Sequence, residues 1–187
     1  RSFLIGAISQ NISSCSNILE SEDVLSTINC LKKLGVKIVK ENTGKYSIYG
    51  NGLGSLTSKK NTKLNFGNSG TLARLLIGIL TTTPNIEVKL NGDRSLNKRS
   101  MKNLITLMSD FGARFFPKNK NNFPIKMLSS NYPIGINYDA GVSAQLKSAV
   151  LLAGLNSYGT TTVFENEKSR NHTELMISKN KKAIKII

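Results

Sequence analysis

The run Phe66-Gly-Asn-Ser-Gly-Thr-Leu-Ala-Arg-Leu-Leu-Ile-Gly-Ile-Leu80 changes character partway along. Gly67 to Thr71 are small, turn-forming residues. From Leu72 to Leu80 the run is apolar apart from Arg74 and Gly78. This reads as a loop opening into a buried helix. The first turn of a helix leaves backbone N–H groups unpaired and carries partial positive charge. Glycines let an anion come close to that backbone, and Arg74, one turn in, adds a guanidinium able to grip it at two points. The same letters also spell an ordinary turn with a Ser or Thr cap, and both readings stand at this point. No Gly-Lys-Ser/Thr follows, so this is not a Walker loop, and it is not a dinucleotide fingerprint.

The pattern around this run repeats. Leu75-Leu-Ile-Gly-Ile-Leu80 has counterparts in Phe3-Leu-Ile-Gly-Ala-Ile8 and Leu151-Leu-Ala-Gly-Leu155, with Gly6, Gly78 and Gly154 spaced by 72 and 76 residues. Each reads as an apolar helix with a glycine for close packing. A strand-like run follows each: Cys15–Leu19, Ile86–Leu90 and Thr160–Phe164. A second helix comes next. Val24 to Leu34 carries Val24, Leu25, Ile28, Leu31 and Leu34 on one stripe, and Met101 to Phe111 carries Leu104, Ile105, Leu107, Met108 and Phe111. Both end in a C-terminal glycine, Gly35 and Gly112. Strand pairs are then expected at Lys37–Val39 with Tyr46–Tyr49, and at Arg114–Phe116 with Ile125–Met127.

The unit is helix, strand, helix, strand, strand, recurring roughly every 75 residues, which predicts pseudo-symmetric packing of an α/β (α+β) kind. The third copy departs: its second helix starts at His172-Thr-Glu-Leu-Met, but no Leu-Gly follows, so it reads as incomplete. The repeat also aligns polar openings. Gly67-Asn-Ser69 precedes one helix, Gly141-Val-Ser143-Ala-Gln145-Leu-Lys147 opens another, and Arg1 stands before the first. Three such starts are expected to converge on one anionic ligand.

Charge and composition narrow the function. The 187 residues carry a net charge of +15. A nucleic-acid or membrane-surface partner is one reading. An enzyme for anionic small molecules is a second, and a compositional drift towards Lys, Asn and Ile is a third. The last two are favoured. Lysines are scattered, only 6% of residues are aromatic, which leaves few stacking platforms, and no helix-turn-helix, zinc-finger or RNP pattern appears. One histidine, His172, excludes a His-based metal cluster within the chain and argues against a Ser/His/Asp triad. Cys15 and Cys30 lack metal-ligand spacing and read as free thiols in a reducing cytoplasm. No apolar run reaches membrane-spanning length, and no secretory signal is visible. The missing initiator Met suggests a start inside a longer protein.

Four blocks together resemble the 5-enolpyruvylshikimate-3-phosphate (EPSP) synthase family: Leu64-Asn-Phe-Gly-Asn-Ser-Gly-Thr71 through Arg74; Gly92-Asp-Arg-Ser-Leu-Asn-Lys-Arg99; Ser143-Ala-Gln-Leu-Lys-Ser148; and Ser169-Arg-Asn-His-Thr-Glu174. Their order and spacing match as well, and the resemblance runs from Arg1 to about Met176. Arg1 aligns with the last residue of the family's K-S-x-S-x-R motif. The resemblance implies two lobes, each of three βαβαββ units around buried helices (an inside-out α/β barrel), with substrates in the cleft between. Residues 1–187 would be most of the N-terminal lobe, with the second lobe absent.

The reaction implied is transfer of the enolpyruvyl group of phosphoenolpyruvate to the 5-hydroxyl of shikimate 3-phosphate, releasing phosphate. It belongs to the shikimate pathway to chorismate and aromatic amino acids and uses no metal or cofactor. By the same resemblance, Arg1, Ser143, the backbone at Ala144, Gln145 and Arg170 would hold shikimate 3-phosphate. Gly70 and Arg99 would hold phosphoenolpyruvate, with Asn68, Thr71 and Arg74 shaping that pocket and Gln145 touching both ligands. The catalytic Asp and Lys would come from the other lobe, so this chain alone is expected to bind weakly and not turn over. The full protein is expected to be a cytoplasmic monomer without nucleic-acid or membrane partners, and sensitive to glyphosate beside Gly70.

Single residues keep plainer readings alongside. Arg99 and Arg170 also fit solvated surface positions, and Arg74 a structural ion pair. Ser69 and Thr71 fit helix caps, Lys98 and Lys147 solvent-facing or structural roles, and His172 a turn. Glu174 fits support of a helix start. Ser100, Leu72 and Asn171 depart from the family's usual Pro, small residue or Thr, and Asp; Ser100 predicts a looser loop. The competing functions are enolpyruvyl transfer to UDP-N-acetylglucosamine, which the Ser-Ala-Gln and Ser-Arg-Asn-His-Thr-Glu blocks disfavour, and a basic nucleic-acid-binding module.

Overall fold

In the computed structural model, which describes all of residues 1–187, the apolar run becomes α3 (Gly70–Thr81), and ten of its twelve residues are buried. A helix apolar all round belongs inside a core. Its polar start stays at the surface of that core, where Ser69 caps it by accepting from the Leu72 N–H at 3.3 Å.

The other elements follow the repeat. The first copy holds α1 (Ser2–Ile8), β1 (Gln10–Cys15), α2 (Glu22–Lys33), β2 (Lys37–Asn42) and β3 (Lys45–Asn51). The second holds β4 (Thr62–Asn65), α3, β5 (Glu87–Asn91), α4 (Arg94–Lys98), α5 (Lys102–Asp110), β6 (Arg114–Phe116) and β7 (Ile125–Leu128). The third holds β8 (Asn137–Ala140), α6 (Ala144–Gly154), β9 (Thr162–Glu165) and α7 (His172–Ile177).

The sheets are one design at three stages of completeness. In the second copy the order is β4-β5-β7-β6, with β4 and β5 parallel and the other pairings antiparallel. The first copy shows the β5-β7-β6 part of it as β1-β3-β2, and the third shows the β4-β5 part as β8-β9, again parallel. Registers such as Val88↔Met127 and Leu90↔Ile125 stack buried apolar residues on the inner face. The three sheets remain separate and close no barrel. A single cluster of 40 buried residues runs through all three copies. Each fully buried Leu, Ile or Phe in it stabilises the fold by about 1.5–3 kcal/mol.

Two sequence readings need correction. The first strand is Gln10–Cys15, not Cys15–Leu19. It lies at a sheet edge and is mostly exposed, so Asn11, Ser13 and Ser14 serve where apolar residues were sought. Residues 16–21 form a loop instead, held where the Glu20 carboxylate accepts from Lys40 Nζ, the Gly44 N–H and Tyr46 Oη. The five-element unit also lacked its leading strand, seen here as β4 and β8. Both are four residues long and mostly polar.

The glycines do the close packing expected of them. A Cβ at Gly78 would stand 2.5 Å from the Ala149 carbonyl oxygen, so α3 and α6 meet backbone to backbone. A Cβ at Gly154 would lie 2.8 Å from Thr161 Cβ, and one at Gly6 would lie 3.1 Å from Ile48 Cδ1.

Candidate active site

Parallel strands present their carboxyl ends on one side, and loops there are where open α/β sheets bind ligands. β4 leads through Phe66-Gly67-Asn68 to the Ser69 cap of α3, and β5 leads to Arg99. Likewise β8 leads through Gly141-Val142 to the Ser143 cap of α6, and β9 leads to Arg170. Each parallel pair therefore supplies one serine-capped helix start and one arginine.

Local bonding sets both arginines in place. Asp93 caps α4 by accepting from the Leu96 N–H at 2.7 Å, and Asn97 accepts from the Gly92 N–H at 2.9 Å. This short turn ends at Arg99, whose Nη2 donates to Asn68 Oδ1 at 2.9 Å. Ser100 Oγ accepts from the Lys102 N–H at 3.3 Å at the end of this loop. On the other side, one Glu165 carboxylate oxygen accepts from Ser169 N–H at 2.8 Å and Ser169 Oγ at 2.6 Å, fixing the residue before exposed Arg170.

The two helix starts are joined. Gln145 Nε2 donates to Thr71 Oγ1 at 2.9 Å, linking the first turns of α6 and α3. Ser143 Oγ accepts from the Leu146 N–H and keeps its own proton to donate. Arg1, half-buried before α1, donates from Nε to Thr173 Oγ1 at 3.1 Å. Thr173 in turn donates to Ser148 Oγ at 2.9 Å, and Ser148 donates to the Ala144 carbonyl at 2.7 Å. The expected ligand residues other than Arg170 thus make separate short hydrogen bonds: Arg1 through Thr173 and Ser148 to Ala144, Gln145 to Thr71, Arg99 to Asn68, Arg74 to Gly70 and Leu146 to Ser143. Exposed Arg170 stands on the β9–α7 loop.

The electrostatics of this face favour an anionic ligand. The four ion pairs of the chain are made by Lys40, Lys126 and, twice, Lys147; none involves an arginine. Arg74 therefore has no structural ion pair. Its Nη1 donates to the Gly70 carbonyl at 3.1 Å. A Cβ at Gly70 would stand 2.7 Å from Arg74 Nη1 and 3.3 Å from Arg99 Nη1, so both guanidiniums occupy the space a side chain would take. Burial, and then the neighbouring Arg99 charge, lower the Arg74 pKa below its ordinary value. The half-buried Arg74 and the exposed Arg99, two like charges at a helix start, form a site that a negatively charged ligand stabilises.

Lys147, by contrast, is not solvent-facing. It is buried and its ammonium lies between Glu165 and Glu174. Burial pulls its pKa down, but the bonds to the two carboxylates outweigh this and hold it above the usual lysine value. Glu174 does sit in the first turn of α7, and exposed His172 begins that helix. Ser148, Thr173 and this ion cluster were not read from the sequence as parts of the site. One signal was available: Lys147 stands between Leu146 and the apolar run Ala149 to Leu152, on a helix with little exposed surface.

A family model for EPSP synthase (3-phosphoshikimate 1-carboxyvinyltransferase) matches residues 1–186. The chain belongs to the EPSP synthase family. The 3-phosphoshikimate 1-carboxyvinyltransferase of Paramagnetospirillum magneticum is 40% identical over 178 residues, covering 95% of this chain and 40% of that protein. That of Desulforamulus reducens is 42% identical over 178 residues, covering 95% and 41%. A solved structure of EPSP synthase from Acinetobacter baumannii matches with a TM-score of 0.86 at 36% identity, over 95% of this chain and 40% of that one. The chain spans about two fifths of the length of the curated EPSP synthase relatives it matches.

Proposed function

We propose that this chain forms most of one lobe of an enzyme that moves the enolpyruvyl group of phosphoenolpyruvate onto the 5-hydroxyl of shikimate 3-phosphate. The observation that carries the proposal is the pair of guanidiniums, Arg74 and Arg99, converging on Gly70 with no carboxylate to neutralise them. Family membership and the names of the relatives supply the reaction.

Phosphoenolpyruvate lies at the α3 start, between Asn68, Gly70, Thr71, Arg74 and Arg99. Shikimate 3-phosphate lies at the α6 start, held by Arg1, Ser143, the Ala144 backbone and Arg170. Gln145, bonded to Thr71, stands where the two ligands meet. In the addition step the 5-hydroxyl oxygen bonds to C2 of phosphoenolpyruvate, loses its proton, and C3 gains one. Elimination then expels phosphate and returns the double bond as C3 loses a proton. Fixed guanidiniums and helix-start N–H groups suit this chemistry, because negative charge moves onto a departing phosphate they already face. The groups that move the protons belong to a second lobe, so residues 1–187 alone bind both substrates weakly and do not turn over. The complete enzyme acts as a cytoplasmic monomer and takes no nucleic acid.

The test is phosphate release by the full reading frame containing this chain, with phosphoenolpyruvate and either shikimate 3-phosphate or UDP-N-acetylglucosamine. Release with the first acceptor alone is expected. Release only with the second, or with neither, overturns the proposal.

A further inference from the structure

We propose that Thr173 is the positioning residue for Arg1, holding its guanidinium through Nε so that both terminal nitrogens are left to an anionic group of shikimate 3-phosphate. This rests on the reading of the site given above, and it concerns a residue outside both sets of expected ligand contacts.

The argument is one of hydrogen-bond direction. A guanidinium can only donate and a backbone carbonyl can only accept. Between the Arg1 Nε and the Ala144 carbonyl stand two hydroxyls, Thr173 and Ser148, each 1% exposed. Ser148 gives its proton to the carbonyl. Thr173 therefore gives its proton to Ser148, and its lone pair is left for Arg1 Nε. Every hydroxyl in the chain is oriented, with no second arrangement of equal quality. Linked bonds of this kind polarise one another. Arg1 is held through Nε alone, so its two terminal nitrogens remain free for a planar, two-point grip on a carboxylate or phosphate of that substrate.

The anchor itself is fixed from the next residues along. Lys147 and Ser148 on α6 face Glu174 and Thr173 on α7, giving two consecutive cross-links: an ion pair and a hydroxyl pair. α7 thereby holds Thr173 against α6, and the Arg1 guanidinium takes a set distance from the Ala144 backbone. Two contacts expected for one ligand, Arg1 and Ala144, are thus spaced through Thr173 and Ser148, neither of them an expected ligand contact.

The experiment compares wild type, Thr173→Val and Thr173→Ser in the full reading frame, measuring KM for each substrate, kcat and thermal midpoint. Valine keeps the shape and removes the acceptor, and serine keeps the acceptor. Thr173→Val is expected to raise KM for shikimate 3-phosphate about tenfold with KM for phosphoenolpyruvate within about twofold, and Thr173→Ser to restore the wild-type value. Equal changes in both KM values, or a valine variant unchanged in both, overturn the inference while wild-type turnover leaves the proposed function standing. Wild-type enzyme that releases no phosphate with shikimate 3-phosphate overturns the proposed function, and this inference with it. A valine variant that fails to fold is answered by Thr173→Ala, for which the same selective rise is expected; two equal rises again overturn the inference.

Discussion

A methyl group at Gly70 would meet the tips of Arg74 and Arg99, which are ends of flexible side chains. The fold can absorb this, but the guanidiniums must turn aside. In the full enzyme Gly70→Ala is expected to raise KM for phosphoenolpyruvate about tenfold, equivalent to about 1.4 kcal/mol, with the thermal midpoint shifted by less than about 3 °C. Glyphosate inhibition should weaken more than substrate binding, and an unchanged inhibition curve would place Gly70 outside that pocket. At this scale the blocks around Gly70, Arg99 and Gln145 were legible through their joint order and spacing, since Gly67 to Thr71 taken alone also spells an ordinary capped turn. The freedom of Arg74 from any carboxylate was not, since it depends on where distant acids end up in space. The burial of Lys147 was hidden for the same reason: its partners Glu165 and Glu174 lie 18 or more positions away.

Among the elements, the β9–α7 connection depends on one carboxylate. Glu165 accepts from Lys147, the Ser169 hydroxyl and the Ser169 N–H, and these bonds lower its pKa from 4.5 to about 2. A carboxyl held lower in the folded chain contributes stability that is present above its unfolded value of 4.5 and is lost as pH falls towards 2. The thermal midpoint of wild type should therefore exceed that of Glu165→Gln at pH 7, and the gap should close between about pH 4.5 and 2. Glu20, lowered to about 2 chiefly by its bond to Lys40, titrates in the same window but is common to both proteins and cancels. A gap constant with pH would show that Glu165 does not anchor the loop as an ion. Helices were the most legible elements, because α2, α3 and α5 carry long apolar stripes and α2 and α5 are followed by the glycines Gly35 and Gly112. The strands β4 and β8 were not, being four residues long and mostly polar, and β1 was displaced because an exposed edge strand tolerates Asn and Ser.

For the whole molecule, the comparison of sheets has a practical result. β9 has the place of β5, yet its outer edge pairs with no strand, and Phe164 on it is 56% exposed. Unpaired strand edges recruit other chains. Residues 1–187 expressed alone should associate with rising concentration despite the +15 charge, and Phe164→Lys should return them to monomer in sedimentation measurements. Association unaffected by that substitution would put the contact elsewhere. The repeat made the molecule's pseudo-symmetry readable, because three glycine-marked helices recur at near-equal spacing; which sheet each copy completes was not, since pairing is a matter of space. A last consequence comes from Gly78, where α3 touches the backbone of α6. It lies about 12 Å along the helix from Gly70. The two ligand-facing helix starts therefore behave as the jaws of a caliper whose pivot is this contact. The gap between two bound substrates is set by a hydrogen atom about two helical turns from the α3 start, against a residue about one and a half turns from the α6 start, and any larger side chain there would open the jaws without entering the site.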